Sequence, residues 1–330
     1  MKKNLFIVSV SCLLMCLSSC VSLQGVSFER LQAADISFPE QVRTVGVVNC
    51  VPQHNQDQKA VEYSPGVLMG DGKIVAEALA HEIASTDYFN QVVICDSVLS
   101  GTGEQVLREH CLSGEWVDSL TQSLGVDMLL SVEYMPVQLQ EGSMFLEDFM
   151  QVVPTIDGIV SPTIRVYAAK REEPLYTISK TDTICWTLTP QLAYEQVIKE
   201  ASEYAASLPV KYLLPYWKEV DRSYFDGGNV YMRDAGVCVR EQDWEQASLL
   251  WKKAYEEKKG KAKMRAAFNL ALYHEFMNDF EQAKAYLEIA MNLTPEDAVE
   301  KTLLEFYQLQ LEEQSAKYLR LKIQMKRFEP

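Results

Sequence analysis

The feature that most constrains this chain is a short internal repeat near its C-terminal end. The run DWEQA at residues 243–247 returns as DFEQA at residues 279–283, a period of 36 residues. The two runs share four identical residues and exchange one aromatic residue for another. A fixed period of roughly 20 to 50 residues indicates a supersecondary unit that stacks on copies of itself. The C-terminal part of the chain is therefore predicted to be an all-helical repeat domain.

The repeat resembles the tetratricopeptide repeat, a helix–turn–helix unit of about 34 residues. The resemblance implies two repeats at residues 230–295, with helices at residues 230–240 and 244–257 and at residues 264–277 and 280–292. Such units bind partner proteins and do no chemistry. The resemblance also implies that eight residues pack the helices against one another: Trp244, Ala247, Trp251, Ala254, Phe280, Ala283, Leu287 and Ala290.

Two repeats are too few to bury their own apolar faces, because a solenoid generally needs three or more. We expect the preceding domain to cover the first repeat and C-terminal capping helices at residues 296–330 to cover the last. A basic segment from Ser315 to Arg327 is predicted to be a solvated helix end, since its charges complement the helix dipole. The capping helix from Glu296 to about Glu313 is predicted to bury Val299, Leu303, Phe306 and Leu311.

The N-terminal residues have the pattern of an export signal. Lys2 and Lys3 precede an apolar run at residues 5–17, which is shorter than the roughly 20 residues of a spanning helix. The run ends in LSSC at residues 17–20, which resembles the lipobox of bacterial lipoproteins. The resemblance implies that residues 1–19 are removed and that Cys20 carries acyl chains. The alternative is an ordinary secretory signal in which Cys20 is incidental.

The lipoprotein resemblance also implies a location. Residue 21 is not an aspartate, which by the usual bacterial sorting pattern favours the outer membrane. Residues 21–25 lack the acidic cluster of surface-exported lipoproteins in Bacteroidota-like bacteria, so we expect the periplasmic face. A lipoprotein cysteine carries three acyl chains, which is more than the two membrane-binding groups needed for stable anchoring. Residues 20–34 are then expected to form a tether.

Composition argues against several classes of ligand. The formal net charge is −15 at pH 7, which disfavours nucleic acid because binding there depends on neutralising phosphates with Lys and Arg. The chain has only four histidines and no CxxC or HExxH pattern, so we predict neither a metal nor a cofactor. Among the five cysteines after Cys20, Cys95 and Cys111 are the pair closest in sequence, and whether they form a disulfide stays open.

Residues 35–215 are predicted to be an α/β domain with a mixed sheet and helices packed on it. Strand-like runs at residues 43–48, 92–95 and 126–133 alternate with helical patterns at residues 73–85 and 115–124, an order that indicates some parallel pairing. Further helices are predicted at residues 104–111 and 191–207, and a hairpin joins strands at residues 163–167 and 175–179.

Two phrases in this domain resemble the periplasmic α/β module of TolB and of CsgG-type lipoproteins. They are DYFNQVV at residues 87–93 and LGVDMLLSV at residues 124–132. The resemblance implies a fold and carries no catalytic residues. The secretion channels in that group build a barrel wall from long alternating strands. Residues 135–162 contain several prolines and glycines and no sustained alternation, so we predict no pore.

The sequence contains no recognisable catalytic motif. The glycine-rich stretch at residues 66–73 resembles a phosphate-binding loop, but its spacing fails and Ile74 stands where Ser or Thr would bind magnesium.

An aromatic junction at residues 216–229 separates the two domains. It is either an interdomain core with stacked arginines or a partner-binding surface. The second reading rests on its Tyr, Trp and Arg residues, because these three types dominate binding hot spots. The candidate surface residues are Tyr216, Trp217, Arg222, Tyr224, Tyr231 and Arg233.

The sequence therefore predicts a non-enzymatic lipoprotein that acts as a scaffold for an unidentified protein partner. One alternative is a small-ligand or glycan-binding protein, or an enzyme, that uses the loop from Pro52 to Gly72 over the sheet edge. A second alternative is an oligomeric subunit of an envelope export complex. The sequence predicts no oligomeric state.

Overall fold

The computed structural model describes residues 23–51, 66–98 and 112–329. The chain divides into two compact units. Of the described residues, the helical unit contains Leu23–Gln32 and Trp217–Lys322, and the sheet unit contains those between Ala33 and Tyr216 and those after Lys322. Within the described ranges, no helix is both long enough and apolar enough to span a membrane.

The strands and helices follow one another in chain order. The strands are β1 (Leu23–Gln32), β2 (Thr44–Asn49), β3 (Gly66–Met69), β4 (Gln91–Val98), β5 (Met128–Tyr134), β6 (Pro136–Leu146), β7 (Gln151–Val160), β8 (Thr163–Ala168), β9 (Tyr176–Ser179), β10 (Asp182–Thr187) and β11 (Tyr216–Phe225). The helices are α1 (Gly72–Ala84), α2 (Gly114–Leu124), α3 (Tyr194–Ser207), α4 (Val210–Leu213), α5 (Val230–Arg240), α6 (Trp244–Glu257), α7 (Gly260–Phe276), α8 (Phe280–Asn292) and α9 (Glu300–Met325).

The sheet unit contains two sheets. The first has the order β4-β2-β5-β8-β9, in which β2 pairs in parallel with β4 and β5, and β8 pairs antiparallel with β5 and β9. Val45, Val47 and Val48 of the interior strand β2 are fully buried, as expected for a parallel strand covered on both faces. The predicted order of an α/β domain followed by a helical one is confirmed. The helix predicted at residues 104–111 lies outside the described residues.

The second sheet has the order β10-β7-β6-β3 and is antiparallel throughout. Here the sequence prediction was incomplete. The stretch from Pro52 to Gly72 was predicted as a loop, but β3 occupies residues 66–69 and pairs with β6, while residues 52–65 lie outside the described part. The strand was missed because its pairing partner is far away in sequence: Leu68 lies opposite Val137, 69 residues later.

No strands were predicted at residues 135–162, because that stretch has no sustained alternation, but the structure places β6 and β7 there. β6 and β7 pair along their whole length, from Val137 opposite Val160 to Leu146 opposite Gln151. The prolines do not prevent this pairing. Pro136 is the first residue of β6, and Pro154 lies on β7 beyond the residues that pair with β10, where no third strand needs its missing N–H.

The helical unit combines a two-stranded sheet of β1 and β11 with helices α5 to α8 and most of α9. β1 occupies most of the segment predicted as a tether at residues 20–34. The two repeat copies have equivalent turns. Gln242 and Asn278 both adopt positive φ, and Asp243 and Asp279 both cap the following helix by accepting a hydrogen bond from the backbone N–H three residues later. All eight predicted packing residues are buried.

The C-terminal helix differs from its prediction. α9 is one continuous helix. Of the predicted stripe, Leu311 is buried and Leu303 is partly buried, but Val299 is 88% and Phe306 58% exposed. Leu304 and Tyr307 are buried instead, so the buried face is rotated from the predicted one over the first turns of the helix. The register is set by packing on helices α7 and α8, as in the ring contacts of Tyr307 with Phe268 and of Tyr318 with Phe280.

Four of the five basic side chains in the segment from Ser315 to Arg327 are at least partly exposed, as predicted, and the exception is Arg327. Arg327, within the sheet unit, is buried, and its Nη1 donates to the carbonyl oxygen of Tyr88 at 2.8 Å. Its guanidinium lies 3.8 Å from the centre of the Tyr88 ring. Gln324 is also buried and donates to the carbonyl oxygens of Ala34 and Ile36. Arg327 was predicted to be solvated, but protein hydrogen bonds and ring contacts surround its guanidinium instead.

Candidate functional site

Strand β11 forms most of the aromatic junction, and its side chains alternate between two faces. This alternation divides the predicted partner-binding surface. Arg222 is 8% and Tyr224 1% exposed, so both belong to the interior of the helical unit. Trp217 is 66% exposed on the other face of the strand. Successive side chains of a strand point to opposite faces, and this separates the residues. Tyr224 is therefore unavailable for direct contact with a partner, and only a small part of Arg222 reaches the surface.

The other three predicted surface residues lie at or near the surface. Tyr216 is half-buried and Arg233 of α5 is exposed. Tyr231 is half-buried and its hydroxyl donates to Oε2 of Glu257 at 2.9 Å, while the Lys258 ammonium lies 5.5 Å from its ring centre. Tyr231 thus has an intramolecular role that links α5 to the end of α6.

Glu275 of α7 is the centre of a buried charged network. Its carboxylate accepts hydrogen bonds from Nε of Arg222 at 2.9 Å, from Nη1 of Arg30 at 2.9 Å and from the Tyr307 hydroxyl at 2.7 Å. The Glu275 side chain is completely inaccessible, and the two arginine side chains are nearly so. The network therefore joins β1, β11, α7 and α9 at a single carboxylate.

The network is held in one ionisation state. Burial by itself would raise the pKa of Glu275, but the hydrogen bonds and charges of Arg222 and Arg30 outweigh it and lower that pKa below its ordinary value. Burial, together with the neighbouring Glu275 charge, raises the pKa of Tyr307 well above its ordinary value. Two arginines face one carboxylate, so the network carries one excess positive charge beneath the surface.

A surface groove lies directly over this network. Its first depression encloses about 120 Å³, and Arg222 and Tyr307 form part of its lining. Phe268, Leu303 and Phe306 make its other walls apolar, while Asp221, Ser223 and Gln310 make the rim polar. This volume is below the roughly 300–1,000 Å³ of a typical small-molecule pocket. It suits a protruding side chain better than a cofactor.

The groove continues along β11 and α9 into a second depression of about 280 Å³. Charges of both signs line it. Lys218 and Glu219 come from β11, and Glu313 and Lys317 come from α9. Asp221, Arg222 and Gln310 line both depressions, which makes them one continuous feature, the β11–α9 groove. An apolar centre beside a polar and charged rim is the usual composition of a surface that recognises another protein.

Comparison with protein families places the chain. A family model described as "Domain of unknown function (DUF8603)" matches residues 42–225, more than half of the chain. The chain belongs to this DUF8603 family. A second model, described as "Domain of unknown function (DUF6340)", matches residues 233–313. The first match ends at the last residue of β11, and the second begins within α5 and ends within α9. No curated protein sequence matches the chain.

Solved structures add little. A hypothetical protein from Chlamydia trachomatis is 11% identical, with a TM-score of 0.29 over 51% of this chain and 95% of that one. The rare lipoprotein B from Shewanella oneidensis is 12% identical, with a TM-score of 0.22 over 50% of this chain and 88% of that one. Both scores are too low to carry an argument about fold or function.

Sequence reasoning missed three of the four network residues, namely Arg30, Glu275 and Tyr307. One signal could have found Glu275. The repeat period of 36 residues aligns it with Val239, which is buried in the first copy. A carboxylate at a periodic apolar position requires a buried partner. No comparable signal marks Arg30, because it lies in a segment that was predicted to be a tether.

The sheet unit contains a smaller polar cluster on β5 and β8. The hydroxyl of Tyr167 donates to Oε1 of Glu133 at 2.5 Å, and Arg165 pairs with the other carboxylate oxygen. Burial first, and the hydrogen bond to Glu133 second, raise the pKa of Tyr167 far above its ordinary value. This tyrosine therefore stays neutral and serves to hold β5 against β8.

Several predicted features cannot be placed. The signal segment, Cys20 and Cys111 lie outside the described residues, as does most of the Pro52–Gly72 loop of the alternative ligand site. Among the residues that the structure describes, no cluster of three or more His, Cys, Asp or Glu side chains could hold a metal ion.

Proposed function

We propose that the protein is a lipid-anchored lipoprotein of the bacterial envelope that holds a partner protein in the β11–α9 groove and performs no chemistry of its own. The observation that carries this proposal is the groove itself. It offers two adjoining depressions of about 120 and 280 Å³ with mixed charges, rather than one enclosed cavity. Such a surface fits the side chains of a protein segment.

The repeat region supports an interaction role. We infer that residues 230–295 are two tetratricopeptide-like repeats. In each copy an aspartate caps the second helix, and the residue just before that aspartate has a positive φ. The packing residues Ala247 and Ala283 are fully buried, as close helix contacts require. Tetratricopeptide-like units bind partners, so a groove bounded by the second copy's first helix is a reasonable place for one.

The buried network supports the same role by making the groove rigid. Arg222 lines both depressions, and its guanidinium is fixed by two hydrogen bonds to Glu275. A preorganised surface loses less conformational entropy when a partner binds. The network therefore acts on binding through the shape of the groove, and its arginines need not touch the partner.

The anchor is proposed from the lipobox at residues 17–20, with the outer membrane and its periplasmic face as the location. We expect the full chain expressed in a bacterial host to be found with the membranes and to become labelled by a palmitate analogue. Cys20→Ala should abolish the label and release the protein from the membrane or leave its signal uncleaved. Cys238→Ala is the matched control. Equal labelling of both variants would contradict the anchor.

Partner binding is tested at the groove in native membranes. A photo-crosslinking residue at Gln310, which lines both depressions, should yield a discrete crosslinked product. Phe306→Ser should reduce that product by at least about fivefold, because Phe306 forms an apolar wall of the first depression. The matched control is Leu309→Ser. Leu309 is 67% exposed on the same helix but is not among the groove-lining residues.

The outcome is read from the comparison of variants. Absence of any product from Gln310, or equal loss from Phe306→Ser and Leu309→Ser, would contradict the groove proposal. Point substitutions are sharper here than deletion of residues 222–330. That deletion would remove the C-terminal end of β11 and also Gln324 and Arg327, whose hydrogen bonds belong to the sheet unit.

A further inference from the structure

The β6–β7 hairpin of the sheet unit extends beyond the sheet that supports it. β10 pairs with β7 only from Thr155 to Val160, and in the described part of the chain β3 pairs with β6 only from Pro136 to Leu139. Residues 143–154, the hairpin tip, pair only with each other in the described residues. An isolated two-stranded ribbon is marginally stable in water and readily accepts a further strand.

The hairpin tip is strongly apolar. Phe149 and Met150 of the connecting turn are 72% and 78% exposed. Phe145 and Val152 lie opposite each other in the register and are 52% and 67% exposed. These exposures contrast with the rest of the hairpin, where Val137, Leu139, Ile156 and Val160 are buried.

An apolar residue of the tip lies on the core-facing side of β6. Side chains alternate along a strand, so Phe145 lies on the same face of β6 as Val137 and Leu139. Val137 is completely buried and Leu139 is 6% exposed, whereas Phe145 is half-exposed. Glu141 and Ser143 occupy this face between Leu139 and Phe145, so the apolar residues of the tip form an exposed patch that is separate from the core. Exposed apolar patches of this kind mark interaction sites.

The charge around the tip has one sign. Glu141, Glu147 and Asp148 are exposed there, and no lysine or arginine occurs from Pro136 to Ile164. Two copies of this tip would repel each other, and so would the tip and an anionic lipid surface. A partner with basic side chains beside apolar ones would satisfy both features of the tip.

We propose that the hairpin tip docks an extended segment of another protein in which apolar and basic residues alternate. The apolar residues cover Phe145, Phe149, Met150 and Val152, and the basic residues pair with Glu147 and Asp148. The extended form follows from the ribbon, because a partner strand can lie alongside its two strands. This surface belongs to the sheet unit and does not depend on the β11–α9 groove.

The probe is a short fluorescein-labelled peptide of alternating lysine and valine, added to the purified full chain and followed by fluorescence anisotropy. We expect saturable binding that weakens as salt is added. A peptide of alternating glutamate and valine should bind at least about tenfold more weakly, and so should one of alternating lysine and serine.

Two variants locate the binding on the tip. Phe149→Ser combined with Met150→Asn should weaken the lysine–valine peptide by at least about tenfold. Asparagine is chosen because Met150 has a φ of 49°, which asparagine tolerates. Glu147→Gln combined with Asp148→Asn should also weaken binding and flatten its salt dependence. Leu249→Ser, at a 54% exposed position of α6, is the matched control and should bind like the unaltered chain.

Unchanged melting temperatures confirm that these exposed substitutions leave the fold intact. Equal binding by the tip variants and the control, or equal affinity for the glutamate–valine peptide, overturns the proposal. Light scattering and vesicle sedimentation test the other occupants. A dimer lost in the Phe149→Ser and Met150→Asn variant would assign the tip to a second copy of the chain. Tip-dependent binding to phosphatidylcholine vesicles without peptide binding would assign it to lipid.

Discussion

Glu275→Gln is expected to lower the free energy of unfolding of the helical unit by about 3–5 kcal/mol. The substitution preserves shape and removes the negative charge, which leaves the buried Arg30 and Arg222 without a counter-ion. Breaking a buried pair by removing one partner costs more than the pair contributes, because the remaining charge stays desolvated. Chemical denaturation followed by tryptophan fluorescence measures the loss, since Trp244 and Trp251 both belong to this unit.

The matched control is Glu288→Gln at an exposed position of α8, which should change the free energy of unfolding by less than about 0.5 kcal/mol. A loss at Glu275 no larger than the loss at Glu288 would contradict the proposed weight of the network.

The pH dependence gives an independent reading of the same network. The pKa of Glu275 is lower in the folded chain than its ordinary value of 4.5, so the carboxylate stabilises the fold above that pH. The stabilisation is lost as pH falls through the lowered folded-state value. The difference in free energy of unfolding between the unaltered chain and Glu275→Gln should therefore be constant near neutral pH and narrow below about 4.5. Other carboxylates titrate in both proteins, so their effects cancel in the difference.

Trp251→Ala is expected to destabilise the same unit by about 3–5 kcal/mol, because it leaves a large cavity in the core. Trp251 is completely buried and packs near the ring of Tyr224, with centroids 6.4 Å apart. Its indole nitrogen has no hydrogen-bond partner in the described structure, so the loss comes from packing. Thermal and chemical denaturation both measure it.

The repeat supplies a second variant at this position. Leu287 is the equivalent residue of the other copy, so Trp251→Leu should cost less than Trp251→Ala while still leaving part of the cavity. Trp217→Ala is the matched control in the same unit, since Trp217 is 66% exposed, and it should change stability by less than about 0.5 kcal/mol. Comparable losses at the two tryptophans would refute the assignment of Trp251 to the core.

Features with local causes were predicted well from the sequence. The helices of the repeat region begin at Asp243 and Asp279 because an aspartate side chain caps backbone N–H groups only three residues away. The parallel strands β2 and β5 were recognised because a strand buried on both faces is a short apolar run. In each case the interaction that decides the structure involves residues close together in the chain.

Strand pairing was predicted poorly. β6 and β7 contain prolines and little alternation, and β3 is only four residues long, yet all three form one sheet. Helix α9 was predicted as two segments with a rotated buried face, because its register depends on what it packs against. Arg327 was predicted to be solvated, and its burial depends on the Tyr88 ring, 239 residues away in sequence.

The sequence by itself determined the repeat, its caps, its packing residues and the order of an α/β domain before a helical one. Only the tertiary structure decided the candidate site. It brings Arg30 of β1, Arg222 of β11 and Tyr307 of α9 to the buried carboxylate of Glu275 on α7. It also extends the β6–β7 hairpin past its sheet. The physical reason is range. Caps and helical periodicity act within about four residues, whereas the partner of a buried charge is chosen by how distant segments pack.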